Sequence, residues 1–395
     1  MTRMESGGSG ASRERSVLVH EFITGGGLAG ADLPPSLLVE GGAMRRALAL
    51  DFSRVPGVRV RMTLDARLPD EPGPWELLRV GPGEEPDAFA RLASLADYTL
   101  VVAPETGGIL FDRARILDRV GTRSLGSRPS AVADAGNKLV AYQRFRASGV
   151  RTPPTRVVSS RVGWPRRITF PMAELAAVCP FVEVPEPLLD LAPGLVADAE
   201  IEHPAVLKPF DGAGSTHTFL LAGLAEWPDP EWSPEVALLQ PWVDGELKSA
   251  SVLVDVEGRP HLLGVAGQRA AVDRGRISYL GGIAPRPFGE GTLRMVSRVV
   301  RSLPGLLGWV GIDFVDDGTG EPIVLEVNPR PTTSVVAFLH LAGPGILATS
   351  WLGMVEDSPA PLPDSLFGRV RDRLSCPVTF DPDGSIHPPR DGARP

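Results

Sequence analysis

Cysteine, tyrosine, positive charge and long apolar runs are all in short supply in this chain. Its 395 residues include 2 cysteines, Cys179 and Cys376, and 3 tyrosines. Neither cysteine sits in a C-x-x-C, and two thiols cannot build a disulfide framework, so both read as buried or inert. No apolar run approaches the ~20 residues that cross a bilayer. Residues 1–15, MTRMESGGSGASRER, lack the apolar centre of a signal peptide and read as a disordered tail. G-K-[ST] is absent, which excludes a P-loop. Lysine and arginine total 40 against 48 aspartates and glutamates, a net charge of −8. Nucleic-acid binding needs a basic surface, so this balance argues against it. What remains is a cytoplasmic protein with small-molecule partners, without membrane or nucleic-acid contact, and with a homodimer left open.

The apolar share of 43% and the charged share of 22% are those of an ordinary folded protein. At roughly 100–200 residues per domain, the length suggests two or three domains. Residues 16–23 form an apolar, β-branched run that reads as a buried strand. A glycine loop follows, then Pro34, Pro35 and a helical apolar pattern; Pro35 suits a first helical turn. Residues 58–64 and 98–103 read as strands and 89–96 as a helix. Strands alternating with helices imply a parallel α/β sheet. Residues 137–149, NKLVAYQRFRASG, read as an amphipathic helix stopped by Gly149. Residues 159–200 are proline-rich and resist assignment. Short strands are expected at 205–208 and 237–241, and a helix at 291–303. One hairpin is expected from 251–256 and 261–266, turned at Glu257 and Gly258, and a second from 311–315 and 322–327. Beyond about residue 355, proline, aspartate and glycine suggest a loose surface covering. The expected divisions are a tail at 1–15, an α/β domain at 16–130, two further subdomains at 131–237 and 238–350, and a loose tail at 351–395.

Gly25, Gly27 and Gly30 satisfy G-x-G-x-x-G directly after a strand. A dinucleotide fingerprint needs a helix opening on its last glycine, and Asp32, Pro34 and Pro35 intervene. The glycines therefore read as a tight turn.

Four segments carry chemistry. Lys138 stands near the start of a helix. V-L-K-P-F-D-G-A-G-S at 206–215 ends an apolar strand on Lys208, where an ammonium is costly unless it meets an anion. Gly212 and Gly214 let backbone N–H groups approach phosphate oxygens, and Ser215 adds a hydroxyl. L-L-Q-P-W-V-D-G-E at 238–246 is a strand end whose backbone can pair with a flat base, with Asp244 and Glu246 within reach of ribose hydroxyls. G-I-D-F-V at 311–315 and V-L-E-V-N-P-R-P at 324–331 are adjacent strands carrying Asp313, Glu326 and Asn328. Side chains two apart on a strand face the same way, so Glu326 and Asn328 point together and Asp313 can join them. Hard oxygen ligands of this kind suit Mg²⁺, with Mn²⁺ as the alternative, bridging triphosphate oxygens. Arg330 adds a fixed fork for a carboxylate or phosphoryl group.

In this order the segments resemble the ATP-grasp superfamily, from about residue 17 to about residue 345. The resemblance implies an α/β ATP-grasp fold behind an N-terminal parallel α/β pre-ATP-grasp domain. It implies that Lys138 and Lys208 contact ATP phosphates and that Gln240, Trp242 and Val243 meet the adenine edge. It also implies that Asp313, Glu326 and Asn328 hold the metal. Many relatives place a ribose-binding glutamate where Leu247 stands, so Glu246 or Asp244 must substitute. E-F-I-T-G-G-G at 21–27, S-L-L-V-E-G-G-A-M at 36–44, A-P-E-T-G-G at 103–108, G-Q-R at 267–269 and Y-L-G-G at 279–282 are similar to a carboligase branch. That branch contains tyramine–L-glutamate ligase.

The activity so implied is phosphoryl transfer from ATP to a carboxylate, then attack of an amine on the acyl phosphate. Such chemistry needs positioning and charge neutralisation, here by Lys208, Mg²⁺ and Arg269 or Arg330. DGAGS is a natural lid against water. The acceptor pocket is expected between loops 21–27 and 105–108 and the Arg269 and Arg330 side, with Glu21 or Glu105 pairing an amine and an arginine holding the acid. Rival readings are another amino-acid or dipeptide ligase of the superfamily, a nucleotide sensor without turnover, and an NAD-dependent oxidoreductase resting on the glycine turn alone.

Overall fold

The computed structural model describes residues 14–159, 204–212, 215, 217–222, 236–356 and 364–388. The expected tail up to residue 13, Cys179, Gly214 and most of the proline-rich stretch lie outside them.

The first sheet is parallel throughout. It is built from β1 (Arg15–Glu21), β2 (Val58–Asp65), β3 (Trp75–Val80), β4 (Tyr98–Val102) and β5 (Arg123–Ser124), in the order β3-β2-β1-β4-β5. Its crossovers are α1 (Pro35–Ser53), α2 (Glu85–Ser94) and α3 (Ile109–Val120). β3 and α3 were not expected from sequence, because the strand is short and half-exposed and the helix mixes charge with its apolar stripe. α1 does start on Pro35, whose missing N–H costs nothing in a first turn. The glycine loop before it forms one wide turn, Ile23–Gly27, and no helix opens on Gly30. Buried Arg45 holds that turn, donating to Thr24 O and Thr63 O at 3.2 and 3.3 Å.

α4 (Pro129–Gly136) leads into α5 (Lys138–Ala147). Asn137 caps α5, its side-chain oxygen accepting from the Leu139 and Val140 N–H groups. The second sheet follows, antiparallel at every pairing. It contains β6 (Arg156–Ser159), β7 (Ala205–Pro209), β8 (Phe219–Leu221), β9 (Val236–Pro241), β10 (Glu246–Val254), β11 (Pro260–Asp273), β12 (Arg276–Arg286), β13 (Gly308–Asp316) and β14 (Ile323–Asn328), in the order β14-β13-β10-β11-β12-β8-β7-β9-β6. The β12–β8 junction rests on one residue pair, Arg276 with Phe219. The sheet is thus two halves, β6–β9 and β10–β14, joined at a narrow seam.

α6 (Glu290–Ser302) packs on the β10–β14 half, with Met295, Val296, Val299 and Val300 in its core. α7 (Val335–Ala342) and α8 (Ile346–Met354) join α1 to the second sheet through Phe338, Trp309 and Trp351. Among the described residues no single helix is long and apolar enough to cross a membrane.

The C-terminal region corrects an expectation. α9 (Asp364–Asp372) is followed by β15 (Val378–Phe380), which pairs with β12 and with β16 (Ile386–His387). Phe380 is 1% exposed. The segment is a strand of the sheet rather than a loose cover, because an alternating stretch as short as Val378–Phe380 is hidden among turn residues. Cys376 is exposed, not buried.

Candidate functional site

The two halves of the second sheet face each other across a cavity of about 260 Å³. Val206 and Lys208 project into it from β7, sharing a face because they are two apart. β9 contributes Gln240, whose amide donates to Thr155 Oγ1 at 2.8 Å, and the following turn contributes Trp242 and Val243. The Trp242 N–H already donates to Pro204 O. Lys138, Gly212 and Ser215 line the same space.

Two acids expected there are absent from its lining. Gly245 and Leu247 face the cavity. Glu246 lies on the other face of β10, in ion pairs with Arg286 at 2.9 Å and Lys248 at 3.0 Å. Asp244 is exposed and accepts from the Trp242 ring N–H at 2.9 Å. Neither acid is placed to reach a ribose from within this cavity. Strand parity is the reason, and Gly245 sets it: its φ of +148° brings the backbone where a Cβ would come within 2.5 Å of Asp316 O.

At the far end, β13 and β14 set Asp313 directly opposite Glu326. The register shifts just beyond this pair, a local irregularity that leaves both carboxylates inward. Asn328 Nδ2 donates to Asp313 Oδ2 at 3.1 Å and Gln268 Nε2 donates to Asp313 Oδ1 at 2.9 Å. Lys138 Nζ is 3.5 Å from Glu326 Oε2 and donates to Gly212 O at 2.9 Å. Lys208 Nζ donates to Leu325 O at 3.3 Å.

The electrostatics follow from burial and proximity. Burial lowers the Lys208 ammonium to a pKa of about 8, against the pull of Glu326. Burial and the neighbouring Glu326 charge push Asp313 up to about 7. Burial alone would raise Glu326, but Lys138 and Lys208 outweigh it and hold the carboxyl low. Glu326 is thus compensated by the two lysines, while Asp313 beside it is held up by burial and by the Glu326 charge, a repulsion that a divalent cation would relieve. Among the described residues no group of three or more His, Cys, Asp or Glu side chains is placed to hold a metal ion. The oxygens gathered here are two carboxylates and one amide, so a cation held by them would keep water or phosphate ligands.

A second cavity, of about 120 Å³, opens beside the first and shares Ser215, Gln268, Asp313 and Glu326 with it. Its other walls come from the first domain and from residues of the second sheet and of the loop before α7, Tyr279, Asn328, Arg330, Thr333 and Phe380 among them. Sequence reasoning brought some of its residues to the right place with the wrong partners. Arg330 Nε and an Nη reach the two oxygens of Glu105 at 2.9 and 3.0 Å, with both residues buried. Glu105 is thus committed to Arg330 rather than open to an amine. Glu21 lines the cavity but caps its own loop, accepting from the Ile23 and Thr24 N–H groups at 3.0 and 2.7 Å. Arg269 lines neither cavity. It donates to Leu280 O and Asp381 on the opposite side of β11. Ala266, Gln268, Ala270 and Val272 all line the cavities, so the alternation of β11 carries through its register shifts and sets Gln268 inward and Arg269 outward. Gln268, Glu40, Tyr279 and Thr333 were all missed. For Glu40 a signal existed, since an acid recurs with Leu37 and Met44 on one helical stripe.

Two sheet halves closing on a pocket whose end carries lysines and paired acids define a nucleotide-gripping α/β protein. The sequence profile of the ATP-grasp domain matches residues 135–334, and that of a pre-ATP-grasp domain matches residues 58–132. The chain belongs to the ATP-grasp family, which uses ATP and a divalent metal. It is 25% identical over 244 residues to tyramine–L-glutamate ligase of Methanocaldococcus jannaschii, covering 60% of this chain and 57% of that protein. The ligase of the same name from Methanocaldococcus fervens is 23% identical over 244 residues, covering 60% of each. The match therefore spans less than two thirds of either relative. Among solved structures, a protein assigned to the ATP-grasp superfamily from Archaeoglobus fulgidus superposes with a TM-score of 0.60 at 20% identity, covering 87% of this chain and 90% of that one.

Proposed function

We propose that this chain is an ADP-forming carboxylate–amine ligase that works through an acyl phosphate, with L-glutamate as the acid and tyramine or a similar arylethylamine as the amine. The observation that carries this reading is the pair of connected cavities sharing Ser215, Gln268, Asp313 and Glu326. One is suited to a nucleotide, and its phosphate end opens into the other. The substrate names rest on the likeness to the two tyramine–L-glutamate ligases.

Gln240, Val243 and the apolar walls Val206, Val272 and Ile277 would take the base, and Lys138 and Lys208, in the same lining, would take the phosphates. Asp313, Glu326 and Asn328 are the residues that would hold Mg²⁺, with Mn²⁺ able to replace it; the ion supplies charge neutralisation between phosphate oxygens. Lys138 and Lys208 screen the phosphate as charge moves toward ADP. Arg330, held rigid by Glu105, offers a fixed positive charge at the mouth of the second cavity. The carboxylate attacks the γ-phosphorus and ADP leaves. The amine nitrogen, unprotonated when it reacts, then attacks the acyl carbon; phosphate departs with the C–O bonding pair and takes up the proton that the nitrogen sheds.

ADP release measured across a panel of amino acids and amines tests this. Release that needs both an acid and an amine is expected. ATP binding without such release for any pair would leave a nucleotide-binding protein and end the ligase reading.

A further inference from the structure

The acids around the second cavity are not equivalent. Glu21 is consumed by its own loop. Asp313 and Glu326 face the lysines and the phosphate end. Glu40 differs. Its hydrogen-bond contact is a single long one, from Thr333 Oγ1 at 3.4 Å. The nearest guanidinium, that of Arg330, has two N–H groups on Glu105 and a third on Pro331 O at 3.2 Å.

The placement of Glu40 is set by α1. Leu37, Glu40, Gly41 and Met44 all line the cavity, at the spacing of one helical face. Gly41 permits the close packing, since a Cβ there would come within 2.5 Å of the Glu21 carboxyl carbon. Val102 and Phe380 add apolar wall, while Tyr279, Thr333 and Arg330 are the polar groups of the lining that interact with Glu40. A lone carboxylate in an otherwise apolar stripe loses solvation and gains little in return. Burial raises the Glu40 pKa and outweighs both the Arg330 charge and the Thr333 hydrogen bond, which expresses the same deficit. An arriving cation would remove it.

We propose that Glu40 anchors the ammonium group of the second substrate, a primary amine whose apolar arm lies along the Leu37–Met44 face of α1. The assignment rests on the ligase reading and deepens it. The chain recognises its acceptor by charge at Glu40 and by apolar contact beside it, while Arg330 and the metal residues are left to the acid and the phosphate.

The test uses the full chain, L-glutamate, tyramine and hydroxylamine. Hydroxylamine is small and uncharged at neutral pH, so it traps an acyl phosphate as a hydroxamate without needing an ammonium anchor. Glu40→Gln should raise the tyramine KM by about 30-fold, the loss of one charge-assisted hydrogen bond. The ATP KM and the hydroxamate rate should stay within about twofold, and Glu40→Asp should recover part of the loss. An unchanged tyramine KM overturns the proposal. So does a hydroxamate rate that falls with it, since Glu40 would then serve phosphoryl transfer. A wild-type chain that forms no hydroxamate from L-glutamate or any other amino acid defeats the ligase reading itself. Should Glu40→Gln melt early by circular dichroism, the wild-type protein decides: tyramine should inhibit hydroxamate formation and its alcohol analogue should not. Equal inhibition by both overturns the assignment.

Discussion

The pair formed by Glu105 and Arg330 gives the sharpest quantitative expectation. Glu105→Gln keeps the shape of the side chain and removes its charge. One amide oxygen can still accept from Arg330, but the amide NH₂ then faces a guanidinium N–H, donor against donor. The two residues are 7% and 8% exposed, so water cannot repair the loss. Breaking a buried pair by removing one partner costs about 3–5 kcal/mol. Glu40 and Glu326 also act on Arg330 and should compensate in part, which brings the expected cost to about 2–3 kcal/mol. In a double-mutant cycle with Arg330→Met, the double variant should be less damaged than the sum of the singles by about 2 kcal/mol. Thermal and urea unfolding at low and high salt would measure this, and the effect should survive salt because the pair is buried. Additive single effects, or a cost that salt removes, would refute the reasoning. A selective rise in amine KM with stability unchanged would instead restore Glu105 as an amine contact.

Three further outcomes are expected. Glu326→Ala should weaken Mg·ATP binding by tenfold or more, since few protein oxygens serve the metal, and calorimetry with unchanged affinity would remove it from the ligand set. Lys208→Ala should lose most ADP release while folding normally, because its ammonium sits in the cavity and holds one long backbone contact; full activity, or an unfolded variant by circular dichroism, would contradict this. Asp51 accepts from the Gly345 and Ala348 N–H groups at the start of α8, and burial raises its pKa from the ordinary 3.8 to about 6. The folded state thus binds this proton more tightly than the unfolded state, so the group's stabilising contribution is present at low pH and lost as pH rises from 3.8 to about 6. Over that window the stability gap between wild type and Asp51→Asn should shift by up to about 3 kcal/mol in favour of the variant, and a pH-independent gap would show that Asp51 is not perturbed.

The parts of the molecule read correctly from sequence are those governed by repeating patterns. Apolar strands bounded by glycine and proline gave β1, β4, β7 and both hairpins. The expectation that Asp313 joins Glu326 held because directly paired residues share a face, and here the shift in register falls just beyond them. The errors cluster where adjacent residues on one strand compete for the same face. Gly245 turns Leu247 inward and Glu246 outward. The alternation of β11 likewise puts Gln268, not Arg269, in the site. Glu21 and Glu105 were placed in the right loops, but their partners depend on distances that spacing does not encode: a turn closing two or three residues onward for one, and an arginine 225 positions away for the other.

Strand β15 has a consequence for how this protein comes into being. Phe380 forms a wall of the second cavity, and Asp381 beside it holds the Arg269 side chain. These residues leave the ribosome after the sheet they complete. A nascent chain can therefore assemble its nucleotide pocket while the neighbouring compartment still lacks a side. Synthesis order makes β15 the last of these walls to arrive, so the smaller cavity gains the Phe380 side only after the rest of its lining has been made.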